Sequence, residues 1–479
     1  MSWLSWDGRR LRFGAEAGAS IELRLDGAVF ERIAVTERVI EREFATAPSG
    51  NAQMLFALHA ADGRALAPPW RVLHAQPAVP GHDAWNGAAA ALRPLADAPL
   101  PPRTPGAPEI AIVVPIYNAS DLAQRCIEAV LRWTDPRVHL ILIDDASTDA
   151  AVAPLLTRYA PRARSVRNTH NLGYTRSCNI GIELAGRADV VLLNSDTEVG
   201  PRWLERLLLT AHADTAIGTV TAVSDNAGAF SVPELEQYCP LPAGWTLVQA
   251  QRALLQNAGG CLPELPTGNG FCMYIKRALL DRVGVLDADA FPAGYGEEND
   301  LCQRAEHAGF RHVIAGDVLV RHARSASFGL ERRQSLGAQG MAILRARYPD
   351  YETKVGATLF SFARRVLDYR VRRIWSEMPA PFPRVLLADA GGAAVPGLEC
   401  FILDEQNTAW RLSRDGSELD TAPRADSAAL CRWLVRHAIE AVIAARPHAE
   451  LQAAALRVCV PVCANGDEAA LVARGASLP

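Results

Sequence analysis

Residues 110–145 read IAIVVPIYNASDLAQRCIEAVLRWTDPRVHLILIDD. The apolar run 110–116 has the length and β-branched content of a buried strand. After a short turn, Leu122, Cys126, Ile127, Val130 and Leu131 recur at helical spacing, so the segment reads strand–turn–helix. A second apolar run, 139–143, delivers Asp144-Asp145 at its end. Apolar runs alternating with helical stretches are the signature of a mostly parallel sheet with helices on its faces. In open sheets of this kind ligands sit at the carboxyl ends of the strands. That is where Tyr117-Asn118 and Asp144-Asp145 fall.

On either side of this stretch the pattern differs. Residues 1–87 alternate apolar and polar side chains in short runs, as in Ile21-Glu22-Leu23-Arg24-Leu25 and Met54-Leu55-Phe56-Ala57-Leu58. Period-2 alternation between turn residues predicts a small antiparallel β module. Residues 88–109 are rich in Ala and Pro and read as an exposed linker. The α/β pattern then runs over 110–330, followed by an Arg-rich helical extension over 331–378. Beyond the break at 379–383, residues 384–479 read as a small α/β domain. It is expected to have strands at 384–389, 441–444 and 458–462 and a helix near 427–438. The fold class is therefore α/β, a Rossmann-like core flanked by a β domain and a small α/β domain.

Composition excludes several roles. The chain has 479 residues, 49% of them apolar, and a net charge of −4. This is globular composition with no support for nucleic-acid binding. The ten cysteines lack paired CxxC spacing and read as reduced thiols of a cytosolic protein. The N-terminus lacks a signal-peptide apolar region. No apolar run approaches the ~18–20 residues of a membrane span. The arginines at 364, 365, 370, 372 and 373 suggest either a solvated helix face or a peripheral contact with anionic lipid at the inner face of the membrane.

Chemistry gathers at four places. Two adjacent carboxylates, Asp144 and Asp145, are costly at a strand end unless donors pair with them; the ring N–H and ribose hydroxyls of a nucleotide are such donors. The first turn, Pro115-Ile-Tyr117-Asn118, has no G-x-G-x-x-G, which argues against a dinucleotide site. It also lacks the glycines and positive charge expected of a sugar-nucleotide pyrophosphorylase. The run 190–193 delivers Asn194-Ser195-Asp196, and Asp196 is suited to a hard divalent cation shared with substrate oxygens. Glu297, Glu298 and Asp300 crowd a helix start beyond what capping requires, as a general base would. His322 follows a further apolar run and is a candidate metal or diphosphate contact. Thr267-Gly268-Asn269-Gly270 is a small-residue segment that allows close backbone approach.

In order, IVVPIYN, LIDDASTD, NTHNLGYTRSCNIG, VVLLNSDTEV, LPTGNGFCMYIKR, GYGEENDLCQRA and VRH resemble the inverting family-2 glycosyltransferases of GT-A fold, over about 110–328. The NSDTE stretch is similar to bacterial surface-glycan and rhamnosyltransferase-type members. The resemblance implies a nucleoside-diphosphate sugar donor and a single displacement assisted by Mn²⁺ or Mg²⁺, and an Asp acceptor at the base, which needs a ring N–H, favours UDP- or dTDP-linked sugars. It implies a donor pocket of Pro115, Tyr117, Asn118, Asp144, Asp145, Asn171, Gly173, Asn194 and Ser195, and metal contacts from Asp196 and His322. It implies acceptor-side residues Thr267, Gly268, Asn269 and Gly270. The base is expected at Glu298, where the family usually has Asp, with Glu297 beside it and Asp300 as the rival. Glycan, lipid-linked sugar and protein side chain all stand as acceptors, and oligomeric state is open. The alternative of another class is a catalytically degenerate scaffold that only binds nucleotide sugar.

Overall fold

In the computed structural model, the described residues are 3–6, 10–14, 18–25, 28–36, 39–43, 52–62, 70–74, 109–323, 330–388 and 395–473, less 407, 425, 445 and 447. The expected linker lies outside them except for Glu109. The chain divides into two compact units, Met1–Ala91 and Leu92–Pro479.

In the first unit the described strands are antiparallel and form two sheets. Trp3–Trp6, Arg10–Gly14 and Val39–Glu43 pair in that order. Ala28–Ala34, Ser20–Leu25, Ala52–His59 and Trp70–His74 form the other. Ile21 and Leu23 are fully buried, as strand alternation requires. Glu22 is buried between them in sequence but pairs with Arg32 at 2.8 Å.

The second unit begins with β1 (Ile110–Ile116), α1 (Ser120–Trp133), β2 (His139–Asp144), α2 (Val152–Tyr159), β3 (Arg164–Arg167) and α3 (Tyr174–Leu184). It continues through β4 (Asp189–Leu193), β5 (Thr197–Glu198), α4 (Trp203–His212), β6 (Ile217–Val223), α5 (Leu247–Asn257) and β7 (Cys272–Ile275). Then follow α6 (Arg277–Val283), α7 (Glu297–His307), β8 (Arg311–Leu319) and β9 (Arg321–His322). Helix α1 buries Ala123, Cys126, Ile127 and Val130, an i, i+3, i+4, i+7 stripe. The seven-stranded sheet has the order β3-β2-β1-β4-β7-β6-β8, with β7 alone antiparallel. The order steps outward from β1 in both directions, so the polar ends of β1, β2 and β4 open on one side of the sheet. A switch of this kind leaves a crevice for a ligand.

Three helices come next, α8 (Leu330–Arg347), α9 (Tyr351–Leu359) and α10 (Phe362–Glu377). The arginines of α10 are largely consumed within the protein. Arg364 is fully buried, Arg370 reaches the Gly259 carbonyl and Cys261, Arg372 pairs with Glu234 and Arg373 with Glu377. Among the described residues, no helix is long and apolar enough to cross a membrane.

The last sheet has six strands: β10 (Arg384–Ala388), β11 (Glu399–Gln406), β12 (Ala409–Arg414), β13 (Ser417–Pro423), β14 (Ala441–Ala444) and β15 (Val462–Cys463), in the order β13-β12-β11-β10-β14-β15. Helices α11 (Ser427–Arg436), α12 (Ala449–Arg457) and α13 (Gly466–Ala473) accompany it. The strand expected at 458–462 starts only at Val462, because α12 runs to Arg457 with Val458 as its C-cap. The meander 399–423 was not anticipated. This sheet is tied to the core by Arg252 on Glu440, a buried pair at 2.8 Å, and by Arg202 on the carbonyls of Val458 and Cys459.

Candidate active site

A cavity of about 430 Å³ opens where β1, β2 and β4 end. Of the expected residues, Pro115, Tyr117, Asp145, Asn171, Gly173, Asn194, Ser195, Asp196, Asn269, Glu297, Glu298 and His322 line it. A larger cleft of about 640 Å³ lies at the opposite ends of the strands, against the last sheet, and includes none of them.

Asn118 and Asp144, expected in the donor pocket, are not among the residues that line the cavity. The Asn118 side-chain oxygen accepts the N–H groups of Thr148 and Asp149 at 2.7 and 2.9 Å. It stitches the first turn to the second. Asp144 is fully buried, accepts the Ser147 N–H at 2.9 Å and pairs with Arg167. The adjacent carboxylates are thus separated: one satisfied internally, one at the cavity.

Asp145 is also largely occupied. Its Oδ1 accepts from Asn168 and from the Leu172 N–H, both at 2.8 Å, and its Oδ2 accepts the Gly173 N–H at 2.9 Å. Since each carboxylate oxygen takes about two donors, only Oδ2 has capacity left. Gly173 has φ +89, and a Cβ there would stand 2.3 Å from the Pro292 carbonyl oxygen. Gly173→Ala is therefore expected to lose at least ~1–3 kcal/mol of stability from the backbone conformation alone. Nucleotide affinity should fall with it. A thermal melt and a UDP titration check both.

The short β5–β9 ladder sets Thr197 opposite His322, which brings the imidazole beside Asp196. His322 Nε2 lies 3.2 Å from Asp196 Oδ1, while Nδ1 faces the Asn226 carbonyl at 3.1 Å. A ring that donates from Nδ1 presents the Nε2 lone pair. Lone pair and carboxylate then face each other, an arrangement favourable only with a proton or a cation between them. Asn194 Oδ1 is buried without a hydrogen-bond partner, while the Asn194 amide nitrogen faces His322 Nε2 at 3.5 Å. This donor set fits a divalent cation that completes its shell with substrate oxygens. Among the described residues, no group of three or more His, Cys, Asp or Glu could hold a metal ion alone.

Across the cavity, α7 starts after Gly294, Tyr295 and Gly296, all with positive φ. Glu298 accepts the Gly270 N–H at 2.9 Å. A Cβ on Gly270 would lie 2.8 Å from that carboxylate and 2.4 Å from the Tyr174 hydroxyl, so glycine makes the approach feasible. Glu297 is buried at 1% exposure and accepts the Gly296 N–H at 3.0 Å. Burial first, and then the Glu298 charge and hydrogen bond, push its carboxyl well above the usual carboxylate range. That direction favours the protonated form of Glu297, whose carboxyl lies against Glu298.

The pH consequence has a definite sign. A carboxyl raised in the folded state binds more protons there than in the unfolded chain, so its contribution is present below the ordinary value of 4.5 and is lost as pH rises towards the folded value. Glu297→Gln keeps a donor towards Glu298 without a titratable proton. As pH rises above 4.5 the variant's melting temperature should fall less steeply than that of the parent.

Asp300, the expected rival base, is not among the lining residues either. It is 1% exposed and held by Arg304 at 2.8 Å, Arg347 at 2.7 Å and the Tyr348 hydroxyl at 2.9 Å, away from the cavity. A base needs an acceptor open to the substrate, and this carboxylate is buried in its ion pairs. Thr267 and Gly268 also lie off the wall. Thr267 accepts from Asn299 at 3.0 Å, and Gly268 backs onto Met273. Tyr174, Ser177, Tyr295 and Asn299 line the cavity but were not anticipated, nor was the loop at Asp225-Asn226 that holds His322. Its polar run at the end of the 217–223 strand was the available signal.

Residues 111–284 match the model of the family described as glycosyl transferase family 2. This stretch is a family-2 glycosyl transferase domain. Its mostly parallel sheet is the GT-A arrangement that the sequence resemblance implies. The chain is 33% identical over 108 residues to the uncharacterized glycosyltransferase YibD of Escherichia coli, covering 22% of this chain and 31% of that one. It is 33% identical over 113 residues to the succinoglycan biosynthesis protein ExoO of Rhizobium meliloti, covering 24% and 32%. The chain spans about a third of the length of these relatives. Among solved structures, the mannosyltransferase PcManGT from Pyrobaculum calidifontis, in complex with GDP-Man and Mn²⁺, aligns at 18% identity and a TM-score of 0.39, over 60% of this chain and 82% of that one.

Proposed function

We propose that this glycosyltransferase moves a sugar from a UDP- or dTDP-linked donor to an acceptor hydroxyl with inversion, in the cytoplasm, in bacterial cell-surface glycan or glycoprotein synthesis. The observation that carries the reading is one cavity with the Asp196–His322 pair on one wall and the Glu298 carboxylate on another. The family-2 match supports glycosyl transfer, and a relative that takes part in succinoglycan biosynthesis supports the glycan setting.

The residues divide the work. Asp145 Oδ2 accepts the ring N–H that uracil and thymine offer and cytosine does not. Pro115, Tyr117 and the 171–173 turn enclose the nucleotide. Asp196 and His322 would hold Mn²⁺ or Mg²⁺, which when bound supplies positive charge against the departing diphosphate. Glu298 accepts the proton of the acceptor hydroxyl as that oxygen bonds to the anomeric carbon from the face opposite the phosphate. The bond from that carbon to the phosphate oxygen breaks, and the configuration inverts. Glu297 and the Gly270 N–H orient the Glu298 carboxylate, while Asn269 and Gly270 lie on the acceptor side.

A donor screen read by release of nucleoside diphosphate tests the activity, with UDP- and dTDP-sugars expected to exceed CDP-sugars. The anomeric configuration of the first product, read by NMR, tests inversion; retained configuration would remove that part. Calorimetry with UDP and Mn²⁺ addresses the scaffold alternative, which predicts binding without turnover.

A further inference from the structure

The histidine of the Asp196–His322 pair is held from behind by a turn that is itself gripped from α10. Residues 224–232 close on themselves. The Ala227 N–H donates to Ser231 Oγ at 2.8 Å, the Ser231 N–H to the Gly228 carbonyl at 3.0 Å and the Val232 N–H to the Ser224 carbonyl at 2.9 Å. One end of this turn carries two contacts that hold His322, whose ring also stacks on Phe271 at 5.4 Å and faces the Asn194 amide nitrogen at 3.5 Å. Asp225 Oδ1 accepts the His322 N–H at 2.9 Å, and the Asn226 carbonyl faces Nδ1 at 3.1 Å. The other end carries the carbonyls of Ala229 and Ser231, and the Arg364 guanidinium donates to both. Its Nε donates to Asp368 at 3.1 Å.

Arg364 is fully buried. Burying a guanidinium is unfavourable unless its donors are used, and its planar fork suits several acceptors in fixed directions. Here the acceptors belong to a turn whose opposite end sets the orientation of a candidate metal ligand. A carbonyl that takes the Nδ1 proton decides which ring nitrogen keeps its lone pair.

We propose that Arg364 is a positioning residue for His322. By gripping Ala229 and Ser231 it holds the Asn226 carbonyl in place, and so keeps the Nε2 lone pair directed at Asp196. The inference rests on the proposed metal role of the pair, and it assigns the helical extension a part in the site.

Two variants test it. Arg364→Lys keeps the charge but loses the fork. The double variant Arg364→Met with Asp368→Leu removes the pair without leaving a buried charge alone. The readouts are Mn²⁺ affinity by EPR, with the metal alone and no nucleotide, and the ring ¹⁵N shifts of His322 in metal-free protein. Expected are folded variants with roughly 10-fold weaker Mn²⁺ binding, the lower end of the usual effect of supporting a ligand. The His322 ring should pass from one tautomer to a mixture, and metal-free UDP binding should hold. Folded variants with the parent's affinity and tautomer overturn the proposal. Loss of fold in both variants also overturns it, in favour of a purely structural arginine. If the parent protein binds no Mn²⁺, the metal reading fails separately, and the His322 ring signals alone decide the role of Arg364.

Discussion

Glu298→Gln lowers kcat by about 10²- to 10⁴-fold, the usual contribution of a positioned general base, while UDP affinity stays near that of the parent. Gln has almost the same shape, and its amide oxygen can still accept the Gly270 N–H that Glu298 accepts at 2.9 Å. What disappears is the capacity to take a proton. The substitution also removes the negative neighbour that helps to raise Glu297, so the steep pH dependence assigned to that carboxyl should weaken. Steady-state kinetics with calorimetry of UDP separates chemistry from binding. Full turnover in the variant would show that the proton leaves by another route and would end the assignment of Glu298 as base. Asp300→Asn is the contrasting substitution. It disturbs the ion pairs with Arg304 and Arg347 and should act on stability before it acts on kcat.

Asp196→Asn is the second large effect. It removes the carboxylate of the Asp196–His322 pair and leaves a neutral amide of the same shape. A metal ion that stabilises developing charge is worth several kcal/mol, and about 3 kcal/mol corresponds to about 10²-fold in rate. Mn²⁺ affinity and turnover are both expected to fall by about that factor. Chelation by EDTA should silence the parent protein and added Mn²⁺ should restore it, while the variant stays slow at the same concentration. Equal activity of parent and variant in EDTA would remove the metal from the reaction.

Much of the core can be read from residue order because its strands are buried on both faces and so appear as unbroken apolar runs. The runs ending at Ile116, Asp144 and Leu193 are strands in the structure, and each delivers polar side chains to the same side of the sheet. The meander 399–423 gives a weaker signal, since β11 is only half buried and β13 mostly exposed. Val458, which reads as the start of a strand, is the C-cap of the helix at 449–457.

The candidate site divides in the same way. Glu298 and Asp300 are two positions apart on a helix, which turns them roughly 200° from each other, so only one can face the cavity. Local spacing says that much. Which one does so depends on Arg347 and Tyr348, contributed by and adjoining a helix some distance along the chain, which claim Asp300. In the same way, Asp196 and His322 meet only because β5 and β9 pair in one register, and His322 is oriented by a turn that Arg364 holds from 135 residues beyond Ala229. Where strands end, and thus where chemistry can gather, is legible in residue order because burial writes a local pattern. Which carboxylates are open to a substrate and which are already paired is settled by folding, because those partners come from distant segments and leave no local periodicity to read.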